Sequence, residues 1–159
     1  MTETPCFDCG IRERRSRFPR ILGWSRGVLS LNVRDMPAHN PEEIHALLAA
    51  AVNTGDLDAF ADLHEQDATV IVPPDGRRVS GRDAIRAAVQ PIFALAPRAD
   101  IEVVGKLEAD DLALTHARVS VVATDGAESL EISGRGTVVS RRQPDGTWRI
   151  VLDNAMTPD

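Results

Sequence analysis

The last apolar stretch of the chain, TWRIVLDNA, holds one carboxylate, Asp153, among aliphatic and β-branched residues. Successive side chains of a strand point to opposite faces, so Asp153 shares a face with Val151 and Ala155, while Trp148, Ile150 and Leu152 take the other. A carboxylate turned into an apolar interior has its pKa raised by desolvation and can act as an acid or a base. At a strand end the same residue can instead pair with an arginine or cap the backbone, and periodicity does not choose between the two. Histidines are the other side chains with acid–base chemistry to offer. His64 follows Leu57, Phe60 and Ala61 at helical spacing and reads as a core or cavity-edge ring. His116 alternates with Leu114 and Arg118, opposite Ala117 and Val119, which suits a pocket wall or a face turned to a partner subunit. His45 flanks the apolar stripe of the first helix and reads as a boundary residue.

Other chemistry-bearing patterns fail. Cys6 and Cys9 form one C-x-x-C. A zinc ribbon needs a second pair and a thioredoxin-type motif needs a βαβ setting, so these read as free thiols, and the body depends on no disulfide. GRG at 134–136 lacks the third glycine and the following helix of a dinucleotide fingerprint. There is no G-x-S-x-G elbow and no H-x-x-x-H ligand pair. The expectation is no cofactor and no metal.

These residues sit in a chain of 159, of which 43% are hydrophobic and 26% charged, the balance of a globular domain. No apolar run approaches the roughly 20 residues that span a bilayer. Charge is uneven: residues 1–40 carry seven arginines against four acidic side chains, leaving eleven basic and twenty acidic side chains for 41–159. A body that acidic repels polyanions, which argues against a nucleic-acid partner. Residues 1–40 show no sustained period and read as a flexible extension, or as upstream sequence ahead of a natural start at Met36. Arg14-Arg15 faintly suggests an export signal, but Arg20 and Arg26 interrupt its would-be apolar core and no small-x-small cleavage site follows. The expected location is cytoplasmic.

From Pro41 to Asp159 the pattern is that of one domain. In PEEIHALLAAAVNTGD, Ile44, Leu47, Leu48, Ala51 and Val52 mark one helical face, with Asn40 as cap, Pro41 in the first position and Gly55 at the end. Asp56 caps a second short helix. A third is expected from Ser80, whose capping-box spacing to Asp83 precedes Ile85, Ala88, Val89, Ile92 and Phe93, with Pro91 kinking or interrupting it. Between them TVIVPPDGRRVS spells strand, tight turn and short strand. After Pro97, four long β-branched stretches are separated by Asp110-Asp111, Asp125-Gly126 and Pro144-Asp145-Gly146, so they should pair antiparallel. The fold class is α+β: a cone-shaped, curved antiparallel sheet covered by three N-terminal helices, bending at Gly134 and Gly136, with a cavity at its mouth.

The segments GDLD, DATV, PPDG and GRDAI, with the terminal DGTWRIVLDN, resemble a SnoaL-like domain of the nuclear transport factor 2-like superfamily, nearest its SgcJ/EcaC-type members. The resemblance covers Pro41 to the C-terminus and includes distant ketosteroid isomerase relatives. It implies a homodimer formed through the sheet and a pocket for a small apolar or partly polar molecule. Laid over this chain, the isomerase pattern puts Leu48 in place of its tyrosine, Val72 in place of its base and a residue near Gly136 in place of its acid donor. The chain has no tyrosine at all, so that isomerase mechanism is excluded. Two readings follow. One is a small-molecule binder whose pocket draws on Leu48, His64, Val72, His116, Gly136 and Val151, with weak isomerase- or cyclase-like acid–base chemistry through Asp153 and a histidine. The other is a non-catalytic dimerisation module with a filled cone, working through the outer face at Glu131, Ser133, Arg135 and Thr137. A cavity of roughly a few hundred Å³ reached from solvent favours the first.

Overall fold

Asn40 starts the first helix as its sequence predicts: its side chain accepts from the Glu43 amide at 3.0 Å, and α1 runs Pro41–Thr54. Asp56 caps α2, Leu57–Asp62, through the Ala59 amide at 2.9 Å. The chain then extends as β1, His64–Val72, turns through the two prolines and returns as β2, Arg77–Ser80. Next come α3, Arg82–Phe93, and four long strands: β3 Arg98–Ala109, β4 Leu112–Asp125, β5 Glu128–Arg142 and β6 Trp148–Thr157. The computed structural model describes Val33 and residues 36–125 and 128–157. Cys6, Cys9 and nearly all of the proposed extension lie outside the described residues. Ala38 already belongs to the body, almost fully buried and bridged to Trp148.

All six strands form one curved sheet in the order β2-β1-β6-β5-β4-β3. The long strands pair antiparallel, as their short turns require. One pairing is not legible locally: β1 lies parallel to β6, joining chain segments some eighty residues apart, with Val70 beside Asp153. The helices cover the concave face in two apolar clusters. One gathers Ile44, Leu47, Leu63, Trp148 and Ile150; the other sets Val70 and Val72 of β1 against Ile85 and Val89 of α3.

Three local expectations are corrected. Ser80 does not cap α3; its hydroxyl bonds Thr69 across the hairpin at 2.9 Å, and Gly81, at φ 91°, turns the chain from strand to helix without a side-chain cap. Pro91 does not interrupt α3, which carries it in its last turn and runs on to Phe93. His64 is not helical. The helix stops at Asp62, and His64 is the first residue of β1, paired with Ile150. Arg82 holds that crossing, donating through Nη2 to the His64 carbonyl at 2.6 Å and through Nε at 3.1 Å.

Candidate functional site

The helices do not fill the sheet's concavity. Between α1, α3 and the inner face of the sheet a hollow of about 120 Å³ remains, with apolar walls that include Leu48, Val72, Val119 and Gly136 and two titratable groups, His45 and Asp153. It is smaller than the few hundred Å³ expected from the sequence. For scale, an apolar cavity of about 150 Å³ holds a benzene ring.

Asp153 reaches the cavity through a break in β6's alternation. Val139 pairs with Leu152 but Ser140 pairs with Ile150, so Val151 is an extra residue with no partner of its own. The bulge shifts the phase by one. Trp148 and Ile150 before it and Asp153 and Ala155 after it therefore all face inward, while Leu152 is half exposed. Strict alternation had set Trp148 and Ile150 against Asp153 and grouped Val151 with it. Val151 does not line the cavity, because it is the residue that absorbs the slip.

A second irregularity shapes the opposite wall. Arg135 pairs with Thr157 and Thr137 with Asn154, so β6 bulges again opposite Gly136. A Cβ on Gly136 would stand 3.1 Å from the Ala155 carbonyl oxygen and 3.1 Å from Val119 Cγ2. Any side chain there would press on that backbone oxygen and methyl, which would have to give by a few tenths of an ångström.

His45 is no boundary residue: it is 3% exposed and lines the hollow. Its Nε2 lies 2.7 Å from the Thr115 hydroxyl. That hydroxyl donates to the Val138 carbonyl at 3.4 Å, so its oxygen accepts from His45. His45, Leu48 and Val52, spaced i, i+3 and i+7, all line the cavity, and that spacing in α1 is the signal that could have found the histidine. Burial pushes its pKa below the ordinary 6.5, against the upward pull of Asp153 and then Glu42. The unfolded chain therefore binds this proton at higher pH than the folded one. Stability should be complete above about pH 6.5 and fall as the pH drops through that value. Urea midpoints at pH 7.5 and 5.5 check this: the acid loss should shrink in His45→Gln, and an equal loss in both proteins contradicts it.

The remaining predicted residues lie elsewhere. His64 is wholly buried but sits behind Asp153, outside the cavity wall, with Nδ1 2.9 Å from the Phe60 carbonyl and Nε2 3.9 Å from Asp153 Oδ2. His116 is exposed on the convex face beside Thr137, at 3.0 Å, since β4 turns Ala113, Thr115 and Ala117 inward. Leu48, Val72, Gly136 and Asp153 are the predicted residues that meet at the hollow. No cluster able to hold a metal ion occurs among the described residues, and none of their helices is long and apolar enough to cross a membrane.

The model of the SnoaL-like domain matches residues 38–151, most of the chain and every element that builds the site up to the start of β6; Asp153 lies just beyond the match. The chain belongs to the SnoaL-like domain family. Among solved structures this SnoaL-like chain is similar to a provisionally assigned calcium/calmodulin-dependent protein kinase type II association domain from Thiobacillus denitrificans. Identity is 26% and the TM-score 0.60, over 75% of this chain and 94% of that one. A ketosteroid isomerase-like protein from Erwinia carotovora atroseptica is 16% identical with a TM-score of 0.63, over 71% and 89%. A nuclear transport factor 2-like protein with a cystatin-like fold from Novosphingobium aromaticivorans is 19% identical with a TM-score of 0.56, over 70% and 75%. The last two likenesses bear on fold alone. No curated protein matches the chain.

Proposed function

We propose that this SnoaL-like chain binds a small apolar or partly polar molecule in the hollow between α1, α3 and the sheet. Asp153 then supplies weak acid–base chemistry of an isomerase or cyclase type. The supporting observation is one juxtaposition: His45 and Asp153, both nearly fully buried, stand in the wall of an otherwise apolar cavity. Buried titratable groups are costly to keep in a wall that merely packs. With Leu48 where an isomerase would hold a tyrosine, any proton chemistry runs without a phenol donor. A thermal-shift screen against ring-shaped metabolites tests the reading. At least one should raise the melting temperature, and Asp153→Ala should reduce that shift. A shift unaffected by the substitution removes Asp153 from the site.

The competing reading, a non-catalytic dimerisation module, draws on the convex face. There Leu107, Leu114, Val139 and Leu152 are successive partners across β3, β4, β5 and β6, and Leu107 is 70% and Leu152 50% exposed. Such a row of exposed aliphatic residues marks an interaction surface. The Thiobacillus protein's description as an association domain accords with this. We infer that a second copy of this chain covers the row, under either reading. Sedimentation should give a dimer for the protein and a monomer for Leu107→Lys/Leu152→Lys; a monomeric parent chain contradicts the inference. The hollow itself weighs against a filled cone.

A further inference from the structure

We infer that His64 and Asp153 hold one proton between them, so that the cavity presents no net charge and takes an uncharged molecule of about one ring bearing a hydrogen-bonding oxygen. The ligand half of this rests on the pocket proposed above; the proton half does not.

The tautomer follows from geometry. His64 Nδ1 lies 2.9 Å from the Phe60 carbonyl oxygen, which can only accept, so Nδ1 carries a hydrogen. The ring's other nitrogen, Nε2, is buried without a hydrogen-bond partner and faces Asp153 Oδ2 at 3.9 Å. Were His64 neutral and Asp153 ionised, a bare lone pair would oppose a carboxylate inside an apolar shell. That arrangement leaves an acceptor unsatisfied and a buried charge uncompensated at once. One added proton removes both faults. On Nε2 it makes an ion pair; on Oδ2 it makes an acid that donates to Nε2 as the two groups close. Either form has zero net charge.

No other cation relieves Asp153. Among the described residues, His64 is the one basic group within ion-pair distance of it. Arg82, the nearest basic side chain to the pair in the hydrogen-bond network, spends its guanidinium on the His64 backbone carbonyl and on Asp62. The cavity's other titratable group, His45, has a hydroxyl partner, Thr115, and its burial outweighs the upward pull of Asp153 and Glu42. An ionic ligand would therefore enter an apolar hollow with no counter-charge, whereas an alcohol or phenol hydroxyl can donate to the carboxyl oxygen of Asp153 that does not face His64. The volume of about 120 Å³ sets the size, since an apolar cavity of about 150 Å³ holds benzene.

Two measurements on the full chain separate the halves. With aspartate carboxyl ¹³C and histidine ring ¹⁵N labels, ligand-free protein at neutral pH should show a proton on His64 Nε2 or on the Asp153 carboxyl. In Asp153→Asn the amide can donate to Nε2, so the variant should fold with His64 neutral. An ionised Asp153 beside an unprotonated Nε2 overturns the shared proton, whatever binds. For the ligand half, phenol and cyclohexanol should raise the melting temperature and bind at least about tenfold more tightly than benzoate and benzylammonium. Equal or tighter binding of either ion overturns the neutral site. No shift from any of the four overturns the pocket reading and leaves the proton result standing.

Discussion

Ile150→Ala should cost about 2–5 kcal/mol of unfolding free energy, the range for deleting a fully buried aliphatic side chain where the surroundings cannot collapse. Ile150 is 0% exposed and packs in the cluster of Ile44, Leu47, Leu63 and Trp148. Its amide also donates to the Leu63 carbonyl at 2.8 Å, tying β6 to the α2–β1 junction. The neighbours are fixed from three sides, by α1, by the junction and by the sheet, so the void should persist. Against a total stability of about 5–15 kcal/mol, that loss is large. Urea unfolding should show a lower midpoint with an unchanged slope. Arg77→Ala, on β2 away from the convex row and with its side chain 61% exposed, is the internal control and should change stability by less than about 0.5 kcal/mol. A smaller loss at Ile150 than at Arg77 contradicts the placement of the core.

Gly136→Val should cost about 1–3 kcal/mol and abolish ligand binding together. The added Cβ meets a backbone oxygen, Ala155 O, at 3.1 Å, and that oxygen lies in the bulge between the paired residues Asn154 and Thr157, so it can retreat only by moving the strand. The Val119 methyl, at the same distance, can move only into the hollow or its walls. The valine methyls then occupy space inside a cavity of about 120 Å³. Melting temperature and ligand shift, measured on one sample, should both fall. A variant as stable as the parent with its ligand shift intact would falsify the placement of Gly136 in the wall.

The helices and long strands were legible because their signals are local. Asn40 and Gly55 bound α1, and the Asp-rich turns separate β3 to β6. What was hidden depends on pairing between distant segments. The parallel contact of β1 with β6 leaves no mark in either strand's own pattern. The bulge at Val151 is set by the partners on both sides of β6, so strict alternation put Asp153 on the right side for an incomplete reason and misassigned Trp148 and Ile150. His64 fitted helical spacing because the chain keeps α-type geometry through Leu63, at φ −68° and ψ −13°, before it extends. His45 was discounted because the strongest stripe of α1, through Ile44 and Ala51, faces the packed core. The cavity lies along the stripe's neighbouring edge, through Leu48 and Val52. A helix covering a partly hollow sheet has two inward edges, and the polar residue on the weaker one marks the site.

The function proposed for this chain requires that a hollow survive between sheet and helices with one carboxylate in its wall. A crystal structure of the protein soaked with phenol tests it most directly. Ring density is expected between Leu48, Val119 and Gly136, with the phenol oxygen within hydrogen-bond reach of Asp153. Side chains closed over that space, or Asp153 turned to bulk water, would contradict it.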